Sequence, residues 1–201
     1  MEKSNIGEKI KLLTGSGMWH TREAEGLPSV HLSDGPHGLR KQEERERQNN
    51  VSLVSTCYPT ASALACSWDV TAAERLGRAV AKEAWNADVA VLLGPGINMK
   101  RSPLCGRNFE YFSEDPFLTG RLGAAYVSAA QGENVAVSLK HFAANNQETN
   151  RQTSNSQIDE RALREIYLSA FEYVVKTTRP ATVMASYNRL NGYYACENRH
   201  L

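Results

Sequence analysis

No apolar run in this chain approaches the roughly 18 residues that a membrane-spanning helix needs. The N-terminal stretch MEKSNIGEKIKLL has no apolar h-region and no small-residue cleavage site, so a secretory signal is not expected. The four cysteines, Cys57, Cys66, Cys105 and Cys196, are scattered without a C-x-x-C pair. That spacing argues against a zinc site and for reduced thiols in a cytoplasmic protein. A formal net charge of +1 supplies no field that would favour nucleic acid or an anionic membrane. Motifs are missing as well. The chain has no G-x-G-x-x-G, no G-x-x-x-x-G-K-[ST], no H-E-x-x-H and no G-x-S-x-G. Nucleotide phosphates, a zincin centre and a serine elbow are therefore unsupported.

What is present reads as an ordinary globular chain, with 41% hydrophobic and 22% charged residues over 201 positions. Helical periodicity is clear in four places. Ile6, Ile10 and Leu13 share one face in SNIGEKIKLLTG, with Ser4 as a cap and Gly15 as a stop. From Asp69 to Asn86 the residues Val70, Ala73, Leu76, Gly77, Val80, Ala81, Ala84 and Trp85 recur at three and four. Thr71 with Glu74 there gives a capping-box pattern. EDPFLTGRLGAAYVSAAQG opens at Asp115 before Pro116 and closes at Gly132. Residues 160–176 carry the stripe Leu163, Ile166, Tyr167, Ala170, Phe171, Val174 and Val175, closed by the Arg-Pro at 179 and 180.

Between the helices lie short, continuous apolar runs: SVHL (29–32), VAVLLG (89–94), VAVSL (135–139) and ATVMAS (181–186). Continuous runs suit strands buried on both faces of a parallel sheet, and their alternation with helices predicts an α/β fold. Each run ends in a polar cluster: SDGPHGLR, GPGINMKR, KHFAANNQ and SYNRLNG. In a (β/α)₈ barrel the carboxyl ends of the strands form the active-site face. Four candidate strands make half of such a barrel, which typically needs about 250 residues. The charged run KQEERERQ (41–48) mixes both signs and is expected to be a solvated loop.

The strand ends supply a constellation. Asp34 sits in a Gly-Pro turn and is either an Asx-turn residue or a carboxylate that accepts from ligand hydroxyls. Arg107 either pairs with Glu110 or Glu114 or faces the pocket. Lys140 and His141 adjoin at the end of an apolar strand, where burying both is costly unless something uses them. Because successive strand residues point to opposite faces, one of the two is expected to belong to the loop. Arg151 alone reads as a surface arginine, and Met184 and Tyr187 read either as core or as a platform under a sugar ring. One carboxylate, two guanidiniums, an ammonium and an imidazole around an aromatic suit a polyhydroxylated ligand such as a sugar. A Schiff-base lysine of an aldolase-type lyase is a competing use of Lys140.

Five long motifs in order carry a family resemblance. They are LSDGPHGLR (32–40), YPTASALACSWD (58–69), GPGINMKRSPLCGRNFEYFSEDP (94–116), SLKHFAANNQETNR (138–151) and VMASYNRLNGYYACEN (183–198). Together they resemble the N-terminal part of glycoside hydrolase family 3, the β-glucosidase-like enzymes. The resemblance implies a TIM-type (β/α)₈ barrel, of which residues 1–201 are about the first half, followed by an α/β sandwich domain. It implies a retaining hydrolase of terminal β-D-glucosyl residues with no metal or organic cofactor. Carried over, Asp34, Arg107, Lys140, His141 and Arg151 hold the glucose, with Met184 and Tyr187 beside it. The family's nucleophilic aspartate lies in a Ser-Asp-Trp type motif downstream of NGYYACEN, and the acid/base lies later still. No catalytic residue is therefore expected within these 201 positions, and the chain is expected to be inactive alone. The remaining barrel strands, from a C-terminal portion or a second chain, would be its partner. The alternatives are one subunit of a split enzyme and a non-catalytic carbohydrate-binding remnant.

Overall fold

The computed structural model describes residues 6–24, 26–42 and 51–201. A short helix α1 (Ile6–Lys11) leads to strand β1 (Leu32–Asp34). Helices α2 (Ala61–Ala65) and α3 (Val70–Asn86) carry the chain to β2 (Val91–Leu93), and α4 (Pro116–Gly132) to β3 (Ala136–Phe142). After a two-residue strand β4 (Asn155–Ser156) come α5 (Glu160–Ala162), α6 (Ser169–Thr178) and β5 (Thr182–Ala185). The pair β6 (Arg189–Leu190) and β7 (Tyr193–Tyr194) follows. The main sheet has the order β1-β2-β3-β5 and is parallel throughout, with Leu32 opposite Val91, Val91 opposite Ala136 and Leu139 opposite Val183. This order never reverses, as it does at the switch point of a doubly wound sheet. A singly wound β/α arc results, the expected part-barrel.

The core lies between the sheet and three helices. Val80, Ala81 and Ala84 of α3, Leu122, Val127 and Ala130 of α4, and Phe171 and Val174 of α6 meet Val137 and Leu139 of β3. The helix starts follow local chemistry. Asp115 accepts from the Phe117 amide at 2.9 Å with Pro116 at the first turn, as expected. At α3 the cap is Asp69, which accepts from the Thr71 amide at 2.8 Å. The Thr71–Glu74 pattern does not cap the helix, because Thr71 already sits inside its first turn.

Two further expectations are refined. The stripe over 160–176 is not one helix: a π turn over Leu163–Tyr167 separates α5 from α6, and the Leu168 amide donates to Leu163 O at 2.9 Å. The extra residue rotates the stripe. Leu163 faces a small cluster with Ala144 and Leu190, while Ala170, Phe171 and Val174 face the main core. The run SVHL enters the sheet only at Leu32. Val30 O accepts from the Thr21 amide and the Leu32 amide donates to Trp19 O, so the preceding segment takes up the ladder bonds first. Ser4 and most of the charged run 41–48 lie outside the described residues. No helix among the described residues is long and apolar enough to cross a membrane.

On its far side β5 pairs with no other strand among the described residues. Next to that edge Phe142, Leu168, Phe171, Val175 and Val183 line an open groove of about 570 Å³.

Gly77 fixes the approach of α3 to α4, since a Cβ there would lie 2.5 Å from Tyr126 O. A helix-interior glycine replaced by alanine normally gains about 1 kcal/mol. Here Gly77→Ala should instead lower stability by about 1–3 kcal/mol through overpacking. A urea midpoint that stays level or rises would refute this close contact.

Candidate active site

The carboxyl ends of β1, β2 and β3 converge on Lys140. The loop after β2 grips its backbone: the Lys140 amide donates to Pro95 O at 3.1 Å and the Ile97 amide to Lys140 O at 2.8 Å. Asn98 clamps the next residue, accepting from the His141 amide and donating to His141 O, both at 2.8 Å. Both Lys140 and His141 lie within β3, and the Lys140–His141 peptide is cis. The expected alternation does not send one of them to a loop. Register with β5 shifts between Lys140 and Phe142, an irregularity of the kind that re-aims side chains at a strand end.

Lys140 is 2% exposed, and its ammonium lies 3.3 Å from Glu110 Oε2 and 3.8 Å from Asp34 Oδ1. Glu110, equally buried, also takes the Arg107 guanidinium, which resolves the sequence ambiguity in favour of Glu110 over Glu114. Burial works against the charge on Arg107, but the Glu110 hydrogen bond and charge outweigh it and raise its pKa. Asp34 remains partly open at the end of β1, its turn closed by the Arg40 amide donating to Asp34 O at 2.8 Å.

His141 begins a second chain of contacts. Its Nδ1 lies 2.9 Å from the Tyr111 hydroxyl, which Asn145 Nδ2 also reaches at 2.9 Å. Asn145 Nδ2 donates to Glu148 Oε1 at 2.9 Å, and Arg151 donates to Glu148 Oε2 at 3.3 Å. The Arg151 guanidinium lies over the Tyr187 ring, 5.0 Å from its centre. Met184 stands opposite Lys140 in the β3–β5 register and is half-buried. Burial, then the charges of Arg107, Lys140 and Arg151, drive the His141 pKa down to about 2. Burial likewise raises that of Tyr111.

All seven expected residues therefore stand at one end of the sheet, six of them joined through polar or ring contacts and Met184 through strand register. Glu110, Tyr111, Asn98, Asn145 and Glu148 are additions. Glu110 and Glu148 sit three residues from Arg107 and Arg151, a spacing that flags them as partners; Asn98 and Asn145 carried no signal beyond lying in the polar clusters, and Tyr111 none beyond lying in the 94–116 motif. Among the described residues no three His, Cys, Asp or Glu side chains gather in a group that could hold a metal ion. All four cysteines are free thiols.

A parallel β/α arc with hydrogen-bonding side chains gathered at its strand ends has the architecture of part of a β/α barrel. The particular family follows: the model described as "Glycosyl hydrolase family 3 N terminal domain" matches residues 36–201, and the chain belongs to that family. It is 51% identical over 205 residues to thermostable beta-glucosidase B of Acetivibrio thermocellus, covering 100% of this chain and 27% of that protein. It is 47% identical to an exo-alpha-(1->6)-L-arabinopyranosidase of Bifidobacterium longum, covering 98% of this chain and 27% of that one. The structure of beta-glucosidase 3B from Thermotoga neapolitana in complex with glucose superimposes with a TM-score of 0.88 at 40% identity. That match takes in 95% of this chain and 29% of the other. The chain thus spans about 27% of the length of the curated relatives it matches.

Glu110→Gln should destabilise the fold by about 3–5 kcal/mol, since the buried Lys140 ammonium and the half-buried Arg107 guanidinium lose their shared anion. Exposed Glu114, changed to Gln, should stay within about 0.5 kcal/mol. Equal denaturation midpoints for the two variants would remove Glu110 from the centre.

The depressed His141 pKa gives a pH signature. The unfolded state takes up a proton below about 6.5 while the folded imidazole stays neutral, so the contribution is present above that pH and is lost as pH falls. Stability should drop between pH 7 and pH 5 with a slope approaching ~1.4 kcal/mol per unit from this group. His141→Gln should flatten the profile by that amount in parallel urea titrations; an unchanged profile would show that His141 is protonated in the folded state.

Proposed function

We propose that these residues build the sugar-holding side of the innermost subsite of a retaining β-glucosidase-type glycoside hydrolase. One observation carries the reading: a buried lysine at a strand end, balanced by Glu110 and a partly open Asp34, beside a buried neutral histidine. Lys140 and Arg107 offer donors, Asp34 offers acceptors, and a sugar hydroxyl, which both donates and accepts, satisfies both kinds at once. Arg151 and Tyr187 form the rim, and Met184 lies beside Lys140 in the strand register. The relatives named as beta-glucosidases, and the glucose complex of the Thermotoga neapolitana enzyme, support a glucosyl ligand. The arabinopyranosidase relative makes an L-arabinopyranoside the competing substrate.

Hydrolysis with retention requires two carboxyl groups about 5–5.5 Å apart, one of them free to attack. Glu110 is held by Arg107 and Lys140 and is closed to attack. Asp34 faces Lys140 and serves as a binding acceptor. The reacting pair is therefore assigned to sequence following residue 201, and the apolar groove beside β5 is where the next strand and helix of the barrel would pack. In this division of labour the present residues orient the ring, and their hydrogen bonds tighten as charge develops at the anomeric carbon.

The product of the native reading frame, continued past Leu201, should hydrolyse 4-nitrophenyl β-D-glucoside, with the α-L-arabinopyranoside slower. The chain ended at Leu201 should not. In the active protein Asp34→Ala should cost about 1.5–3 kcal/mol of transition-state binding, roughly 10–150-fold in kcat/KM. Turnover by the 201-residue chain, or full activity in Asp34→Ala, would refute the assignment. Glucose binding with no hydrolysis by the continued product would favour a carbohydrate-binding remnant.

A further inference from the structure

The contacts behind His141 have a direction, and Glu148 sets it. A carboxylate only accepts hydrogen bonds, so the Asn145 side-chain atom 2.9 Å from Glu148 Oε1 is the amide nitrogen. The second N–H of that nitrogen reaches the Tyr111 oxygen, also at 2.9 Å. Tyr111, with no exposed surface, has one lone pair taken by Asn145 and one proton to place. The other polar atom within reach is His141 Nδ1. Burial suppresses ionisation of this phenol and of this imidazole, so the hydroxyl keeps its proton and the ring keeps one acceptor nitrogen. Were Nδ1 the protonated nitrogen, it would donate to Tyr111 and leave the phenol O–H without an acceptor inside the core.

We propose that Tyr111, aimed by Asn145 and Glu148, is a positioning residue that holds His141 in its Nε2–H tautomer and presents that N–H to the ligand as a fixed donor. Nε2 makes no hydrogen bond among the described residues and is not among their sealed, partnerless polar atoms, so it keeps a small opening to solvent although His141 is 4% exposed. Adjacent residues at the strand end then offer two donors, Lys140 Nζ and His141 Nε2, with Asp34 as the acceptor 3.8 Å from Lys140. A ligand hydroxyl that accepts from the imidazole keeps its own proton for a carboxylate. The chain from Arg151 through Glu148, Asn145 and Tyr111 couples the rim of the site to its floor. Only the identity of the group that meets Nε2–H rests on the sugar-binding reading; the tautomer does not.

The test is nitrogen-15 NMR of histidine-labelled protein, expressed in its native reading frame, with His141 assigned by its loss in His141→Gln. At pH 7, Nε2 should carry the proton and Nδ1 should resonate as a hydrogen-bonded acceptor. Tyr111→Phe, which keeps the ring and removes the hydroxyl, should move Nδ1 toward the free-acceptor position and allow an Nδ1–H fraction to appear. Should that variant fail to fold, Glu148→Gln at a partly exposed position gives the same readout, with a smaller shift in the same direction. A protonated Nδ1 in the unaltered protein, or an Nδ1 resonance unmoved in the variant that folds, overturns the proposal. On the glycoside, Tyr111→Phe should lower kcat/KM about tenfold and add nothing to the loss in a His141→Gln background; additive losses would also overturn it. Absence of glycosidase activity would instead refute the proposed function and leave the NMR result standing.

Discussion

A buried ammonium is stable only where anions replace the water it has lost, and Lys140 is where this chain meets that demand. Glu110 supplies the inner anion and is shared with Arg107; Asp34 supplies the outer one. Two cations and two carboxylates come to balance, drawn from three segments far apart in the chain. That balance dictates much around it. Asparagine at position 98 must clamp the backbone beside the lysine, and the loop after β2 must lie flat enough for its amides to reach. At Gly96 that close approach leaves no room for a side chain, since a Cβ would meet the Tyr111 ring at 2.8 Å. Of the two anions only Asp34 keeps contact with solvent, so it is the one able to exchange its lysine for a ligand hydroxyl.

Adjacent residues carry the two halves of the site in different electrostatic modes. Lys140 and Glu110 belong to the charged centre, while their neighbours His141 and Tyr111 belong to a neutral, hydrogen-bonded one. The first half is held by Coulomb attraction in a site with little water, where it is strong. The second half is held by donor and acceptor directions, which specify geometry more than energy. Positive neighbours reinforce the division by keeping the imidazole unprotonated. A ligand thus meets fixed charges and fixed dipoles together, the preorganisation on which transition-state stabilisation relies.

The arc of the barrel was legible in the sequence because burial on both faces leaves continuous apolar runs, and helices over a sheet leave a three-four stripe. Asp115, Pro116 and Gly132 mark their helix as local chemistry requires. Where two local solutions compete, as with Asp69 and Thr71 at the start of α3, sequence patterning chose the second and the backbone chose the first. The π turn at Leu163–Tyr167 had no local signature. It follows from Leu163 being needed by one cluster and Phe171 by another, a requirement visible only after β6 has brought Leu190 into place. Two-residue strands such as β4, β6 and β7 are likewise too short to carry a period.

By itself the sequence determined the kind of fold, the end of the sheet at which chemistry collects, and the seven side chains expected there. Periodicity, turn residues and motif order are all properties of neighbours along the chain. Tertiary structure decided which carboxylate Arg107 holds, that Lys140 and His141 both stay within β3, and which nitrogen of His141 the Tyr111 hydroxyl meets. Those are properties of neighbours in space. Glu110 and Glu114 are nearly equivalent along the chain, but only one is carried under Lys140 when β3 pairs beside β2. Burial then makes the difference between them large, because an unmatched charge costs several kcal/mol inside the protein and almost nothing outside it.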